Sequence, residues 1–355
     1  MINVDNWDER KSHYEDYWNN RNCIPVLSIS APKDGAVYDY EEPENNEESR
    51  FDTGLEIRNN RRFYKNTYFG ADSFPYISPS LGTDLISGIM GLELNYNEAS
   101  AWVKHLDCDL SDIRNFTPEP DNFYLNKMDD MLNSYTEDAR GKDYIVAMVD
   151  LNTLLDGVSS LIGPEKLCYE MMDHPEEVKR VIREHFILYK KIYERYNSIV
   201  TRYQKGNTNW LGVYSEIPWY FISNDFSVMI SAEFFDEFAV EPLKELAAFH
   251  ERNLYHLDGE NAIVHLDRLL KIDEIKGVQV QATPSVQSAE FWIPHIKKIQ
   301  KAGKRTWIDA RDEDELMLLA RSLEPEGLFI RTCASTESEA RNTEKRFKRY
   351  YGEKR

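Results

Sequence analysis

The chain has 355 residues, 41% of them hydrophobic and 12% aromatic, which is enough apolar material for one large barrel or for two ordinary domains. Its 62 acidic residues outnumber 43 lysines and arginines, and the formal net charge of -19 would repel a polyphosphate backbone, which argues against nucleic acid as a partner. Because no basic segment followed by an apolar one opens the chain, and no apolar run reaches about 18 residues, we expect a cytoplasmic protein without a membrane contact.

Short apolar runs alternate with helical patterns along the chain, and each run has the length of one strand. Helix boundaries lie between them: Pro164 begins one helix, Ser231 caps another, and Gly303 ends a third. Eight such strand and helix units predict an α/β protein, a (β/α)8 TIM barrel with an N-terminal helical extension. The predicted strands are 24–29, 74–77, 144–149, 209–214, 253–256, 277–281, 305–308 and 327–331.

The first half of the chain fits this alternation less well. Residues 34–62 are polar and include the acidic run 41–48, which predicts a solvated surface loop and not a binding motif. Residues 81–135 mix Asp, Asn and Leu around Trp102, which is consistent with an insertion that caps the barrel. Because no linker separates two units, we expect a single domain over residues 1–355.

Polar side chains follow the predicted strands, and barrel enzymes gather their chemistry where the C-terminal ends of the strands meet. One polar residue after a strand is commonly a helix cap or a turn residue, so the prediction depends on their coincidence at one rim. The residues concerned are Asp150, Asn152, Ser215, Glu216, His256, Asp258, Gln279, Gln281, Asp309, Arg311, Thr332 and Cys333.

Aromatic residues flank Glu216 and could wall a pocket for a flat or sugar-like ligand, although aromatic residues near strands are also ordinary core. Trp307 has the same two interpretations. The predicted substrate-binding residues are Asn152, Trp210, Tyr214, Trp219, Gln281, Trp307 and Asp309.

Four of the rim residues, His256, Cys333, Glu216 and Asp258, combine imidazole, thiolate and carboxylate groups that zinc accepts in tetrahedral geometry. The alternative is that His256 is hydrogen-bonded and Cys333 is a small buried hydrophobe. The cysteines are too scattered for a disulfide framework, and no glycine-rich nucleotide motif or Gly-x-Ser-x-Gly motif is present.

Several stretches resemble the uroporphyrinogen decarboxylase superfamily, best over residues 140–350, and the resemblance implies a (β/α)8 barrel. The stretch Tyr255-His256-Leu257-Asp258-Gly259 falls where that superfamily expects its fifth strand. The other matching stretches are 161–167, 173–178, 230–238, 241–244, 292–294 and 300–304.

Two chemistries occur in this superfamily. True uroporphyrinogen decarboxylases share an Arg-Gln-Ala-Gly-Arg motif that binds substrate carboxylates, and residues 30–35 of this chain lack it. The cobalamin-linked methyltransferases hold zinc with a His-x-Cys pair and a later Cys. His256 and Cys333 match two of these ligands, and Asp258 stands in place of the first cysteine. A carboxylate there would make zinc a stronger Lewis acid, suited to an ether or alcohol oxygen.

We therefore expect a zinc-dependent, corrinoid-linked methyltransferase-like enzyme that acts on a small methylated or hydroxylated compound. Its catalytic residues would be Glu216, Asp258 and Asp150, its partner a corrinoid protein, and the resemblance also allows a homodimer. One alternative is a carboxy-lyase of the uroporphyrinogen decarboxylase type, in which Asp150 or Asp309 protonates a carbanion. Another is a barrel that binds a small ligand without turning it over.

Overall fold

A computed structural model describes residues 4–97, 101–114, 116–283 and 288–353. Within these ranges the chain alternates between strands and helices. The strands are β1 Val26–Pro32, β2 Thr67–Ala71, β3 Tyr76–Ile77, β4 Leu94–Tyr96, β5 Ala101–Val103, β6 Ile145–Val146, β7 Trp219–Ile222, β8 Arg252–Asp258, β9 Gly277–Gln281, β10 Arg305–Asp309 and β11 Leu328–Cys333.

The helices supply the outer layers of the molecule and the connections between the parallel strands. They are α1 Trp7–Trp18, α2 Asn46–Phe51, α3 Thr53–Asn66, α4 Leu85–Ile89, α5 Phe123–Ala139, α6 Leu154–Ile162, α7 Pro164–Asp173, α8 Pro175–Val200, α9 Ala232–Phe238, α10 Val240–Phe249, α11 Leu266–Leu269, α12 Ala289–Lys301, α13 Glu313–Ser322 and α14 Glu337–Glu353. No helix in the described ranges is both long enough and apolar enough to cross a membrane.

Seven strands form the central sheet in the order β2-β1-β11-β10-β9-β8-β7. All neighbours in it are parallel except β2, which runs antiparallel to β1. In the described ranges β3 and β6 form a separate parallel pair, and β4 and β5 form a hairpin. The prediction of a mixed α/β protein with a mostly parallel sheet is confirmed, whereas the closed barrel stays a prediction because these backbone ladders do not close.

The predicted strand at 209–214 is wrong. The Leu211 amide donates to the Asn209 side chain at 3.0 Å, the Gly212 amide donates to the Asn209 carbonyl at 2.9 Å, and Gly212 has φ of +72°. These features make a turn that a continuous strand could not contain. The strand that pairs with β8 is β7, which begins five residues after the predicted run ends. Every other predicted run overlaps a strand.

The acidic region is only partly a loop. Residues 34–45 contain neither helix nor strand, as predicted, but α2 and α3 occupy the remainder up to residue 62. Asp52 caps α3 by accepting a hydrogen bond from the Leu55 amide at 2.8 Å, a typical N-cap contact. The predicted insertion at 81–135 contains α4, the β4–β5 hairpin and most of α5.

Helix boundaries follow the local chemistry. Ser231 caps α9 through the Phe234 amide at 3.3 Å, as predicted. Pro164 begins α7, as predicted, and this helix ends at Asp173. After His174, Pro175 lacks an amide hydrogen and begins a second helix, α8.

Helix α1 covers the edge of the sheet at which the parallel strands begin. The Trp18 indole donates to the Tyr214 carbonyl at 2.9 Å, and the Tyr14 hydroxyl donates to the Asp72 carbonyl at 2.9 Å. Glu15 forms an ion pair of 2.6 Å with Arg252, the first residue of β8. The N-terminal edge is therefore closed by aromatic side chains, and solvent reaches the sheet at its C-terminal edge.

Candidate functional site

The C-terminal ends of four adjacent strands carry a row of polar side chains on one face of the sheet. In the register of β8 and β9, His256 is beside Gln279 and Asp258 is beside Gln281. Gln279 is in turn beside Trp307 of β10, so side chains two residues further along each strand share the same face. The next position of β10 on this face is Asp309, which is beside Arg331 of β11.

Three ligand groups converge at one end of this row. One atom each of Asp225, His256 and Asp258 lies within 4.8 Å of the other two, and His256 Nε2 is 3.9 Å from Asp258 Oδ1. Asp225 begins a short 3-10 turn that follows β7, the strand next to β8. We refer to these three residues as the triad.

Gln279 sets the orientation of His256. Gln279 Oε1 accepts a hydrogen bond from His256 Nδ1, and Gln279 Nε2 donates to Gln281 Oε1 at 3.1 Å. Burial lowers the pKa of His256 and outweighs the opposite effects of Gln279 and Asp258, so the ring is neutral. With the proton on Nδ1, the lone pair of Nε2 is free on the side of Asp258, the arrangement that metal-binding histidines require.

Asp156 of α6 holds the backbone of Asp225 in place. Its carboxylate accepts from the Ser223 hydroxyl at 3.0 Å and from the amides of Asp225 and Phe226 at 3.0 Å and 2.8 Å. Burial, followed by the charges of Asp156 and Asp258, raises the pKa of Asp225 well above its usual range. A cation between Asp225 and Asp258 would oppose this effect and favour the ionised carboxylates that metal ligation requires.

Asp150 is held next to the triad by a tyrosine clamp. The Tyr220 hydroxyl donates to the Val149 carbonyl at 2.6 Å and accepts from the Leu151 amide at 2.8 Å, so the backbone on both sides of Asp150 is bound to β7. Its Oδ1 is buried without a hydrogen-bond partner among the described residues. Burial, and then the charges of Asp156 and Asp84, raise the pKa of Asp150 to about 7.

Trp210 forms an apolar wall beside the triad. Its ring lies 5.6 Å from the His256 ring, edge to face, and 5.4 Å from Phe221. The indole Nε1 is buried and has no hydrogen-bond partner in the part of the chain that the structure describes. The structure thus brings the predicted binding residue Trp210 next to His256.

Asp309 and Trp307 both contact Arg331. The guanidinium Nε and Nη2 are 2.7 Å and 3.0 Å from the Asp309 carboxylate, and the guanidinium carbon lies 4.5 Å from the centre of the Trp307 ring. Burial opposes the charge of Arg331, but the Asp309 hydrogen bonds and charge raise its pKa. Asp309 and Arg331 therefore neutralise each other at the far end of the row.

The structure does not bring Glu216 to His256. Its neighbour Ser215 accepts a hydrogen bond of 2.9 Å from Arg252, at the start of β8, and Glu216 itself lies 3.9 Å from Lys11. Six residue steps of β8 separate Arg252 from Asp258, about 20 Å at 3.3 Å per residue. Glu216 precedes β7 and is at the opposite edge of the sheet, so the predicted ligand and catalytic role find no support there.

Two predicted substrate-binding residues are also far from the triad. Tyr214 is buried against Trp7, with ring centres 4.9 Å apart, and Trp219 is buried against Trp18 at 5.3 Å. Both are core residues of the N-terminal edge. Asn152, by contrast, lies near the site, where its side chain is hydrogen-bonded to Asp84.

Cys333 is on the same face of the sheet as His256 but not next to it. It is exposed at the end of β11, beside Ser30 of β1, and strands β10 and β9 separate it from β8. At about 4.8 Å per strand, the gap is about 14 Å along the sheet. Its position therefore supports neither the predicted coordination nor the alternative of a buried hydrophobe.

Asp225 and Asp156 were not among the predicted site residues. Ser223, Asn224 and Asp225 directly follow the apolar residues of β7, which is the same signal that identified Asp258. The predicted fourth strand, 209–214, ends before β7 begins, so the prediction does not include the polar residues that follow β7.

No protein-family model matches the chain, and no curated protein matches it.

Proposed function

We propose that this protein is a zinc-dependent, methyltransferase-like enzyme that acts on a small compound with a methylated oxygen. The observation on which the proposal rests is the triad, in which one imidazole and two carboxylates converge within 4.8 Å. The orientation of His256 by Gln279 supports the same conclusion, since a ligating histidine donates its other ring hydrogen to a neighbouring group.

The donor set fits zinc. Catalytic zinc takes three protein ligands and keeps one position open, with bonds of about 2.0–2.2 Å to nitrogen and oxygen. Those bond lengths place tetrahedral ligand atoms about 3.4 Å apart, so the 3.9 Å between His256 and Asp258 needs only a small side-chain rotation. Asp225 would be the third ligand, the role that the superfamily resemblance assigned to Cys333.

The residues around the triad would have different roles in the proposed reaction. A bound zinc ion would supply Lewis acidity toward the substrate oxygen and so make its methyl carbon more electrophilic. His256, Asp225 and Asp258 would hold the ion, and Trp210 would keep water from one side of the substrate. Asp258 and Cys333 are exposed at this edge, which leaves room for the corrinoid-bearing partner that the resemblance implies as methyl acceptor.

We also propose that the sheet closes into the (β/α)8 barrel, with β3 and β6 between the edge formed by β1 and β2 and the edge formed by β7. Single backbone hydrogen bonds support this arrangement: Ala147 donates to Ile77 at 2.8 Å and Met148 donates to Thr208 at 2.8 Å. The Tyr220 clamp then joins the end of β6 to β7. A crystal structure in which β6 and β7 are separated by another element would contradict closure.

Metal analysis of purified variants tests the metal site. Wild-type protein should hold about one zinc ion per chain, whereas H256A and D225N should each bind zinc at least ten times more weakly, by isothermal titration. E216Q is the matched control, because it removes a carboxylate at the opposite edge and should bind zinc normally. C333S decides the third ligand: the triad predicts normal binding, and loss of zinc in C333S with normal binding in D225N would refute the triad.

A further inference from the structure

The carboxylates around the triad lack positive partners. No Lys or Arg in the described ranges forms an ion pair with any of them, and Asp258 meets only His256. At the other end of the polar row, Asp309 is paired with Arg331. Ionised carboxylates this close together repel one another, and a bound cation would relieve that repulsion. The five carboxylates are Asp84, Asp150, Asp156, Asp225 and Asp258.

Four of the five have other interactions. Asp225 and Asp258 belong to the triad, Asp156 accepts three hydrogen bonds from the segment after β7, and Asp84 is hydrogen-bonded to Ser160 and Asn152. Asp150 has a backbone hydrogen bond from Leu151, but its Oδ1 is buried and unpartnered among the residues that the structure describes. A buried carboxylate oxygen without a donor costs free energy, and a ligand donor would remove that cost.

We propose that the substrate carries an ammonium group as well as its methylated oxygen, and that Asp150 holds the ammonium group. The proposal deepens the proposed function and rests on it, since the methylated oxygen is placed by the triad. The ammonium hydrogens would donate to Asp150 Oδ1, and the charge would lie next to the four other carboxylates.

The surroundings of Asp150 select for a cation. Burial and the neighbouring charges of Asp156 and Asp84 raise the pKa of Asp150 to about 7, and a cation would favour the ionised form. A substrate carboxylate would add a further negative charge, and Arg331, which could offset it, is already bound by Asp309.

Three ligands of nearly equal size test the charge preference: 2-methoxyethylamine, 2-methoxyethanol and methoxyacetate. Binding to zinc-loaded wild-type protein is measured by isothermal titration and by thermal shift at low and high salt. The ammonium ligand should bind at least ten times more tightly than the neutral one, methoxyacetate should bind most weakly, and added salt should narrow the difference. Equal binding of the three, tightest binding of methoxyacetate, or no binding of the ammonium ligand overturns the proposal.

Variants assign the preference to one side chain. D150N should bind the neutral ligand as wild type does and lose most of its preference for the ammonium ligand. D143N changes the net charge equally at an exposed position before β6 and should keep the preference. Because the ligands are also compared on wild-type protein, the proposal stays testable if D150N is unstable.

Zinc content separates this proposal from the proposed function. Zinc bound at the triad without a preference for the ammonium ligand would overturn only the ammonium proposal. A preference for the ammonium ligand in wild-type protein that does not bind zinc would overturn the proposed metal chemistry, and the role of Asp150 as a cation site would remain.

Discussion

At the scale of single residues, Gln279 decides what His256 can do. The amide oxygen keeps the ring hydrogen on Nδ1, and the amide nitrogen is itself fixed by Gln281. Without this contact the imidazole could rotate or take the other tautomer, and Nε2 would no longer face Asp258.

Replacing Gln279 with leucine should weaken zinc binding by about 10-fold to 100-fold, the usual cost of losing the partner of a ligating histidine. Isothermal titration with zinc measures the change. Q300L is a matched control, because the Gln300 amide donates to the Glu324 carbonyl at 2.7 Å far from the triad. Equal zinc affinities for Q279L and Q300L would show that Gln279 does not position His256.

A site residue could be predicted when its signal lies in the neighbouring sequence, and could not when its place depends on the order of the strands. His256 and Asp258 were predictable because an apolar run ends in them, and that signal is local. Glu216 also follows an apolar run, but that run is not a strand. The sequence therefore predicts Glu216 at the C-terminal edge of the sheet, whereas the structure has it at the N-terminal edge. Cys333 was placed at the correct end of its strand, whereas its distance from His256 depends on the strand order, which spacing along the chain does not contain.

At the scale of elements, the link between β6 and β7 depends on one hydroxyl group. The Tyr220 hydroxyl is hydrogen-bonded to the Val149 carbonyl and to the Leu151 amide. In the described ranges β6 and β7 are not paired, so no backbone hydrogen bonds between these strands satisfy the two groups. Tyr193 is packed against Tyr220, with ring centres 5.4 Å apart, but its own hydroxyl is buried without a partner among the described residues. The pair therefore offers a comparison within one aromatic cluster.

Replacing Tyr220 with phenylalanine should lower the free energy of unfolding by about 1–3 kcal/mol, because both backbone groups lose their partner. Y193F removes a hydroxyl without a hydrogen-bond partner among the described residues, and should change the free energy of unfolding by less than about 0.5 kcal/mol. Urea unfolding at neutral pH measures both. Equal destabilisation by the two substitutions would contradict the clamp.

The strands that sequence alone predicted well are those with unambiguous ends. Strand β9 has the predicted bounds, since it begins at Gly277 and ends in polar residues. The run 209–214 is apolar enough for a strand, but Asn209 competes with its own backbone and Gly212 takes a positive φ. Helix α2 could not be predicted because five of its six residues are polar or charged and give no apolar stripe.

At the scale of the whole molecule, His13 links α1 to the body of the protein. Its Nδ1 is 2.9 Å from Asp72 Oδ1 and its Nε2 is 2.8 Å from the Ile24 carbonyl. Both neighbours accept hydrogen bonds, so both ring nitrogens carry hydrogen and the imidazole is charged. Burial alone would lower the pKa of His13, but Asp72 and the Ile24 carbonyl outweigh it and raise the pKa to about 9.

Because the folded-state pKa exceeds the unfolded value of 6.5, the stabilisation by His13 is complete below pH 6.5 and is lost as the pH rises through about 9. Wild-type protein should lose about 2 kcal/mol more of its free energy of unfolding across this range than H13Q, after allowance for partial solvent screening. Urea unfolding at both ends of the range measures the difference. H295Q, on the surface of α12, should keep the wild-type dependence, and parallel pH profiles for H13Q and wild type would exclude a charged His13.

The position of α1 also determines when its contacts can be completed during synthesis of the chain. The Tyr17 hydroxyl donates at 3.5 Å to the carbonyl of Thr306, a residue 289 positions later, and Arg305 donates to the Trp18 carbonyl. At about 5–20 residues per second, the ribosome adds those partners about 15–60 s after α1 emerges. Until then Tyr17 and Trp18 lack these contacts, although Asp72 and Tyr214, which also bind α1, are made earlier. The first helix to be made is therefore among the last to complete its final contacts, and chains that stop short of β10 leave the C-terminal end of α1 without them.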